Sequence, residues 1–242
     1  MNMNIAGCGN IPAGEYEKIS VSGSGKLHGS IRCSSFSSSG SSKGERIECS
    51  DSFKVAGSSH FTDNVKAKKV SLAGSFKCDG SITADEKISC AGSVKCLKNI
   101  KCDLLSVGGT LVVGGDIEAE TVKADGTLNC EGLLNAENIE IKFHNELNIG
   151  SIGGSKIVIM KNESKKAITK LPLFSSIVKS TVGQACITSS IEGDEIALEH
   201  ISCPRVTGRV VAIGEGCNID LIQYSEDIEI SPDATVLKYE KI

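Results

Sequence analysis

The chain of 242 residues has no tryptophan, three tyrosines, six phenylalanines and four prolines. That excludes an interior built around large rings, so small and aliphatic side chains must fill a narrow core. Charge of one sign is also missing: 26 basic residues against 30 acidic ones give a net charge of −4, which leaves no polyanion grip driven by bulk charge. Any such site must be local. No run approaches the roughly 18 apolar residues of a membrane span, and Met1-Asn2-Met3-Asn4-Ile5 has neither the basic nor the apolar region of a secretory signal. The expected location is cytoplasmic. Ile5-Ala6-Gly7-Cys8 spells the residues around a lipoprotein cysteine, but too little chain precedes it for an export segment, so lipidation is not expected. A Walker loop and a C-x-x-C chelate are absent as well.

What is present is a repeat. Gly-Ser or Gly-Thr begins at Gly23, Gly40, Gly57, Gly74, Gly92, Gly109 and Gly126, in steps of 17, 17, 17, 18, 17 and 17. Four residues before these glycines stand Ile19, Phe36, Phe53, Val70, Ile88, Leu105 and Val122, continued by Ile139. Two residues on come Val21, Ser38, Val55, Leu72, Cys90, Val107, Ala124 and Ile141, and a period of two marks a strand. Each unit holds two more such pairs, for example Val70/Leu72, Phe76/Cys78 and Ile82/Ala84. Three short strands per coil of about 17 residues predict an all-β fold, a three-sided single-stranded parallel β-helix or β-solenoid, with coils stacked about 4.8 Å apart. The glycines are expected at a corner where a side chain would crowd or φ is positive, and the hydroxyls after them as an outward ladder.

The pattern divides the chain into a thin N-terminal cap over 1–18, an eight-coil solenoid over 19–159, a basic loop or hairpin over 160–184 and further solenoid coils over 185–242. Ser34–Ser42 keeps the register but predicts a poor core. Cys33, Cys49, Cys78, Cys96, Cys102 and Cys130 fall on inward columns and are read as reduced core residues. Cys90, Cys96 and Cys102, six apart on one coil, could ring a soft metal, but nothing around them has ligand spacing, and no metal or cofactor is expected. His28, His60, His144 and His200 share no arrangement with an acid and read as surface residues. Asp85, Asp103, Glu120 and Glu137 stack after the third strand; they are the best acid–base candidates, yet a plain corner offers no pocket. Lys26, Lys43, His60, Lys77 and Lys95 put a cation on one face of five successive coils, partly compensated by Glu45 and Asp79. Such a column is either a solvated face or a track for anionic lipid or another polyanion.

The 17-residue Gly-Ser/Thr units, with the late segments Ile191-Glu192-Gly193-Asp194-Glu195-Ile196-Ala197-Leu198-Glu199 and Ile213-Gly214-Glu215-Gly216-Cys217-Asn218-Ile219-Asp220, resemble the bactofilins, bacterial polymer-forming cytoskeletal proteins, in their longer Gram-positive form. The resemblance implies a right-handed helix that polymerises end to end without a nucleotide. The function expected is a non-enzymatic scaffold whose partner is itself, with contacts at the end-coil residues Ile19, Val21, Leu27 and Ile31. Cell-envelope proteins or an anionic membrane surface are further expected partners, and nucleic acid is not. The alternatives are a surface-binding module using the lysine column and a β-helix carbohydrate-active enzyme.

Overall fold

The computed structural model describes residues 1–144, 147–161 and 187–242, and the backbone alone at 167–168, 177–178 and 186. Parallel strands stack as a β-solenoid of about 13 turns spaced about 17 residues apart, with no helix among the described residues. No helix among the described residues is long and apolar enough to cross a membrane. The chain forms two compact units, Met1–Glu120 and Thr121–Ile242.

In the first unit each coil contributes a short strand, such as Ser41–Gly44 or Ser75–Cys78, and a long one, such as Arg46–Val55 or Ile82–Cys90. The long strand covers two sides, and its register shifts where it turns the corner, between Glu48 and Ser52 for example. Alternation does the rest. Odd and even residues face opposite sides of a strand, so Phe36, Phe53, Val70, Ile88 and Leu105 pair in register to form one inward column. All five are at most 1% exposed. Cysteines occupy equivalent places: Phe61, Cys78, Cys96 and Val113 are successive partners, and Cys33 pairs with Cys49.

The stack begins one coil earlier than the repeat suggests. Strands Asn2–Ile5 and Cys8–Ile11 pair in parallel with Gly14–Val21 and Ser24–Leu27, so residues expected to form a thin cap form a coil instead. Gly7-Cys8 takes the Gly-Ser position, 16 residues before Gly23. The core around Ser38, Ser42 and Gly44 is also better filled than expected. Phe36, Phe53, Phe61 and Phe76 pack there with ring centroids 5.0 to 6.0 Å apart, and a Cβ on Gly44 would meet the Phe61 ring at 2.6 Å. Small residues thus make room for four of the six phenylalanines. The buried hydroxyls of Ser42 and Ser59 bond to each other at 2.5 Å.

The repeated glycine is explained by crowding. A Cβ on Gly40, Gly57, Gly74, Gly92 or Gly109 would lie 1.9 to 2.3 Å from the carbonyl oxygen of the equivalent glycine one coil below. That oxygen accepts a hydrogen bond from the next Ser or Thr amide, as in Ser58 to Gly40 at 3.0 Å and Thr110 to Gly92 at 2.9 Å. None of these glycines has a positive φ.

The second unit carries the strands Thr127–Phe143, Leu147–Lys161, Ser190–Leu198, Ile201–Ile213, Asn218–Ile230 and Thr235–Lys241. Ile157 pairs with Ile196, then Val211, then Ile228, so the stack runs on across the interval after Lys161. Of the excursion expected over 160–184, Met160 and Lys161 instead end the strand Leu147–Lys161, Ala167–Ile168 and Ile177–Val178 pair antiparallel, and the rest, including Lys165, Lys166, Lys170 and Lys179, lies outside the described residues.

Neighbouring glycines offer a clean test of the corner. Gly109→Ala should destabilise the protein by about 1–3 kcal/mol or more, because backbone cannot yield as a side chain can. Gly108→Ala, whose Cβ would meet nothing within 4 Å, should change stability by less than about 0.5 kcal/mol. Urea midpoints of the two variants compare them directly.

Candidate functional site

One side of the first unit is made of six short strands, Ser24–Leu27, Ser41–Gly44, Ser58–Phe61, Ser75–Cys78, Ser93–Cys96 and Thr110–Val113. Their first and third residues face outward. Ser24, Ser41, Ser58, Ser75, Ser93 and Thr110 are successive register partners, and so are Lys26, Lys43, His60, Lys77 and Lys95. The structure therefore brings the expected cation column together and sets a hydroxyl column beside it. Lys26, Lys43 and Lys95 are exposed and make no hydrogen bond or ion pair with any described residue. At the centre, Asp79 clasps His60 Nε2 at 2.8 Å and Lys77 Nζ at 2.7 Å. The Lys77 contact and then the His60 contact hold the Asp79 carboxyl below the usual carboxylate range. Glu45, expected to compensate similarly, makes no ion pair with any described residue.

The other expected contact residues need correction. Ile19, Val21, Leu27 and Ile31 are at most 2% exposed, because Met3, Ile5, Ile11 and Gly14 pair with them from the coil below. They are one coil in from the end of the stack. Met3 and Ile5, both half-buried, carry the first two columns at the end itself.

The histidines also depart from expectation. His60 meets Asp79, His144 Nε2 lies 3.1 Å from Asp125 and His200 Nε2 lies 3.7 Å from Glu215. These partners sit 15 to 19 residues away, on an adjacent coil, where no local motif could reveal them. Asp85, Asp103, Glu120 and Glu137 are exposed at corners. Among the described residues no three or more His, Cys, Asp or Glu side chains are arranged to hold a metal, and Cys90, Cys96 and Cys102 are core residues. Burial pushes the Cys90 and Cys102 thiols up to about 12.

Two features of the second unit escaped the sequence reading. An open groove of about 680 Å³ crosses several coils, lined by Asn135, Ser151, Glu192, Asp194, Thr207 and Arg209 among others. Arg209 is engaged by Glu226 at 2.7 Å and Glu195 at 3.4 Å, and Leu133, Ile152 and Ile242 line the groove beside its hydroxyls, amides and carboxylates. The second feature is a buried carboxyl, Glu199, beside a partly buried His200 at a corner. Glu199 is 2% exposed, and neither its Oε1 nor His200 Nε2 has a hydrogen-bond partner among the described residues. His200 adopts φ 54°, and a Cβ on Gly216 would strike its ring 2.2 Å from Nδ1. Gly214 likewise leaves room for Glu199, whose Cγ would lie 2.7 Å from a Cβ there. Desolvation, then the charge of Glu215, raise the Glu199 carboxyl to about 8.

A raised carboxyl pKa binds its proton more tightly in the folded state, so its contribution is complete below the unfolded value near 4.5 and is lost as pH rises through about 8. Glu199→Gln should therefore gain stability over the parent progressively from pH 5 to pH 9, by on the order of 3–5 kcal/mol at most, read from urea midpoints. Thiol chemistry gives a second check. Cys8 is exposed and the other nine described cysteines are buried, so mass mapping after a brief alkylation pulse should find Cys8 modified and those nine protected until denaturant is added.

No family model, curated protein or solved structure matches this chain.

Proposed function

We propose that this protein is a non-enzymatic cytoplasmic scaffold that assembles end to end into filaments without a nucleotide. The observation that carries the proposal is the state of the first strand. Among the described residues Asn2–Ile5 pairs only with Gly14–Val21, and its other edge offers backbone donors and acceptors at coil spacing. No proline and no charged side chain lies in that strand, and Met3 and Ile5 remain half-exposed beside it. Soluble solenoids ordinarily cover such an end with a polar element, because an open ladder above a cut core recruits another chain. In the second unit Thr235–Lys241 pairs with Asn218–Ile230, and Leu237, Tyr239 and Ile242 are 72%, 59% and 65% exposed. Either surface can meet a second copy. The resemblance of the repeat to the bactofilins supports the same function.

Electron microscopy of the purified chain, free of nucleotide and metal, should show filaments. Met3→Glu combined with Ile5→Glu should abolish them while the circular dichroism spectrum stays that of the parent and the melting temperature falls only slightly, since both residues are half-buried in the first coil. Discrete particles at all concentrations would overturn the proposal. Filaments that survive the double variant would move the contact to Leu237 and Tyr239.

A further inference from the structure

A different face of the first unit points to a binding activity that owes nothing to the ends of the stack. Three parallel columns run along it at about 4.8 Å per coil. The outermost is the glycine corner, from Gly23 to Gly109, which projects no side chain because a Cβ there would strike the coil below. Next come the outward hydroxyls from Ser24 to Thr110, then the cations from Lys26 to Lys95. The bare corner leaves the hydroxyls unobstructed, so one incoming group can accept from a serine and face an ammonium on the same coil. Four steps separate Lys26 from Lys95, about 19 Å of single-file positive charge.

We propose that this face is a binding track for a linear polyanion without bases, a polymer whose phosphates or carboxylates repeat along an extended chain. Three observations select that partner. Past the cations lie the carboxylates of Glu45 and Asp79, which repel a broad anionic plane such as a bilayer but leave a single file open. The outward columns carry no Phe, Tyr or Trp on which a nucleobase could stack, and their single ring, His60, is held by Asp79 at 2.8 Å. Lys26, Lys43 and Lys95 have no acidic partner among the described residues, so a ligand meets them without first breaking an ion pair. Only Lys77 and His60 are engaged, both by Asp79. That clasp lowers the affinity of the middle of the track and makes its removal informative.

The test is fluorescence anisotropy with end-labelled inorganic polyphosphate, and with polygalacturonate as the carboxylate polymer. The parent should bind at least one of them, and orthophosphate at equal phosphate concentration should not compete. Lys→Gln at 26, 43, 77 and 95 together should weaken binding about tenfold or more and flatten the dependence of log K on log salt by about 0.7 for each lysine that contacts the polymer. Asp79→Asn should strengthen binding about twofold to threefold, a gain that damage to the fold would not produce. A control variant with Lys18, Lys54, Lys66 and Lys87 changed to glutamine, on other sides of the same unit, should bind as the parent does. Equal loss in the control, unchanged binding in the track variant, or binding to phosphatidylglycerol vesicles without binding to either polymer would each overturn the proposal.

Discussion

The stacking distance of parallel strands governs the first unit. Coils must approach to about 4.8 Å for their backbone groups to pair, and at the sharpest corner that brings a carbonyl oxygen to where the next coil's Cβ would lie. Glycine is the only residue that permits the approach. The same oxygen then accepts the amide of the following Ser or Thr, so the residue that removes the clash also fixes the register of the next strand. With that register set, alternation assigns every neighbouring position to the core or to solvent.

The core inherits its limits from this geometry. A coil of about 17 residues encloses little volume, so some inward columns mix sizes: glycine or serine on one coil leaves room for phenylalanine on the next. Gly44 beside Phe61 is the clearest case. Cysteine serves as a small apolar residue in the same columns. Cys33 and Cys49 lie 3.4 Å apart, and their contact together with burial pushes Cys49 well above the ordinary thiol range. Such thiols belong to the packing.

Stacking also converts one-residue choices into surfaces. A lysine repeated every coil becomes a column, and a serine two positions before it becomes a second column in contact with the first. The ends are different, because there the ladder is cut and its hydrogen-bonding capacity is left over. Side and end are thus distinct surfaces, so the proposed scaffold and the proposed polyanion track would not compete. The buried Glu199 belongs to neither surface. It is accommodated because Gly214 and Gly216 open space at a corner, and desolvation then sets its charge state.

The sequence by itself determined the all-β solenoid, the inward columns, the serine ladder and the cation column, because a strict period makes residues 17 apart into spatial neighbours. Only the tertiary structure decided where that period bends. The first coil was hidden because Gly7-Cys8 stands one residue short of the regular step and lacks the hydroxyl. The clasp of His60 by Asp79 depends on two side chains turning toward each other at a corner, 19 residues apart, and no spacing encodes that turn. The groove beside Glu192 and the burial of Glu199 depend on what several coils leave open or enclose together. Repetition fixes which residues stack; side-chain rotamers and corner geometry, which do not repeat, fix what they meet.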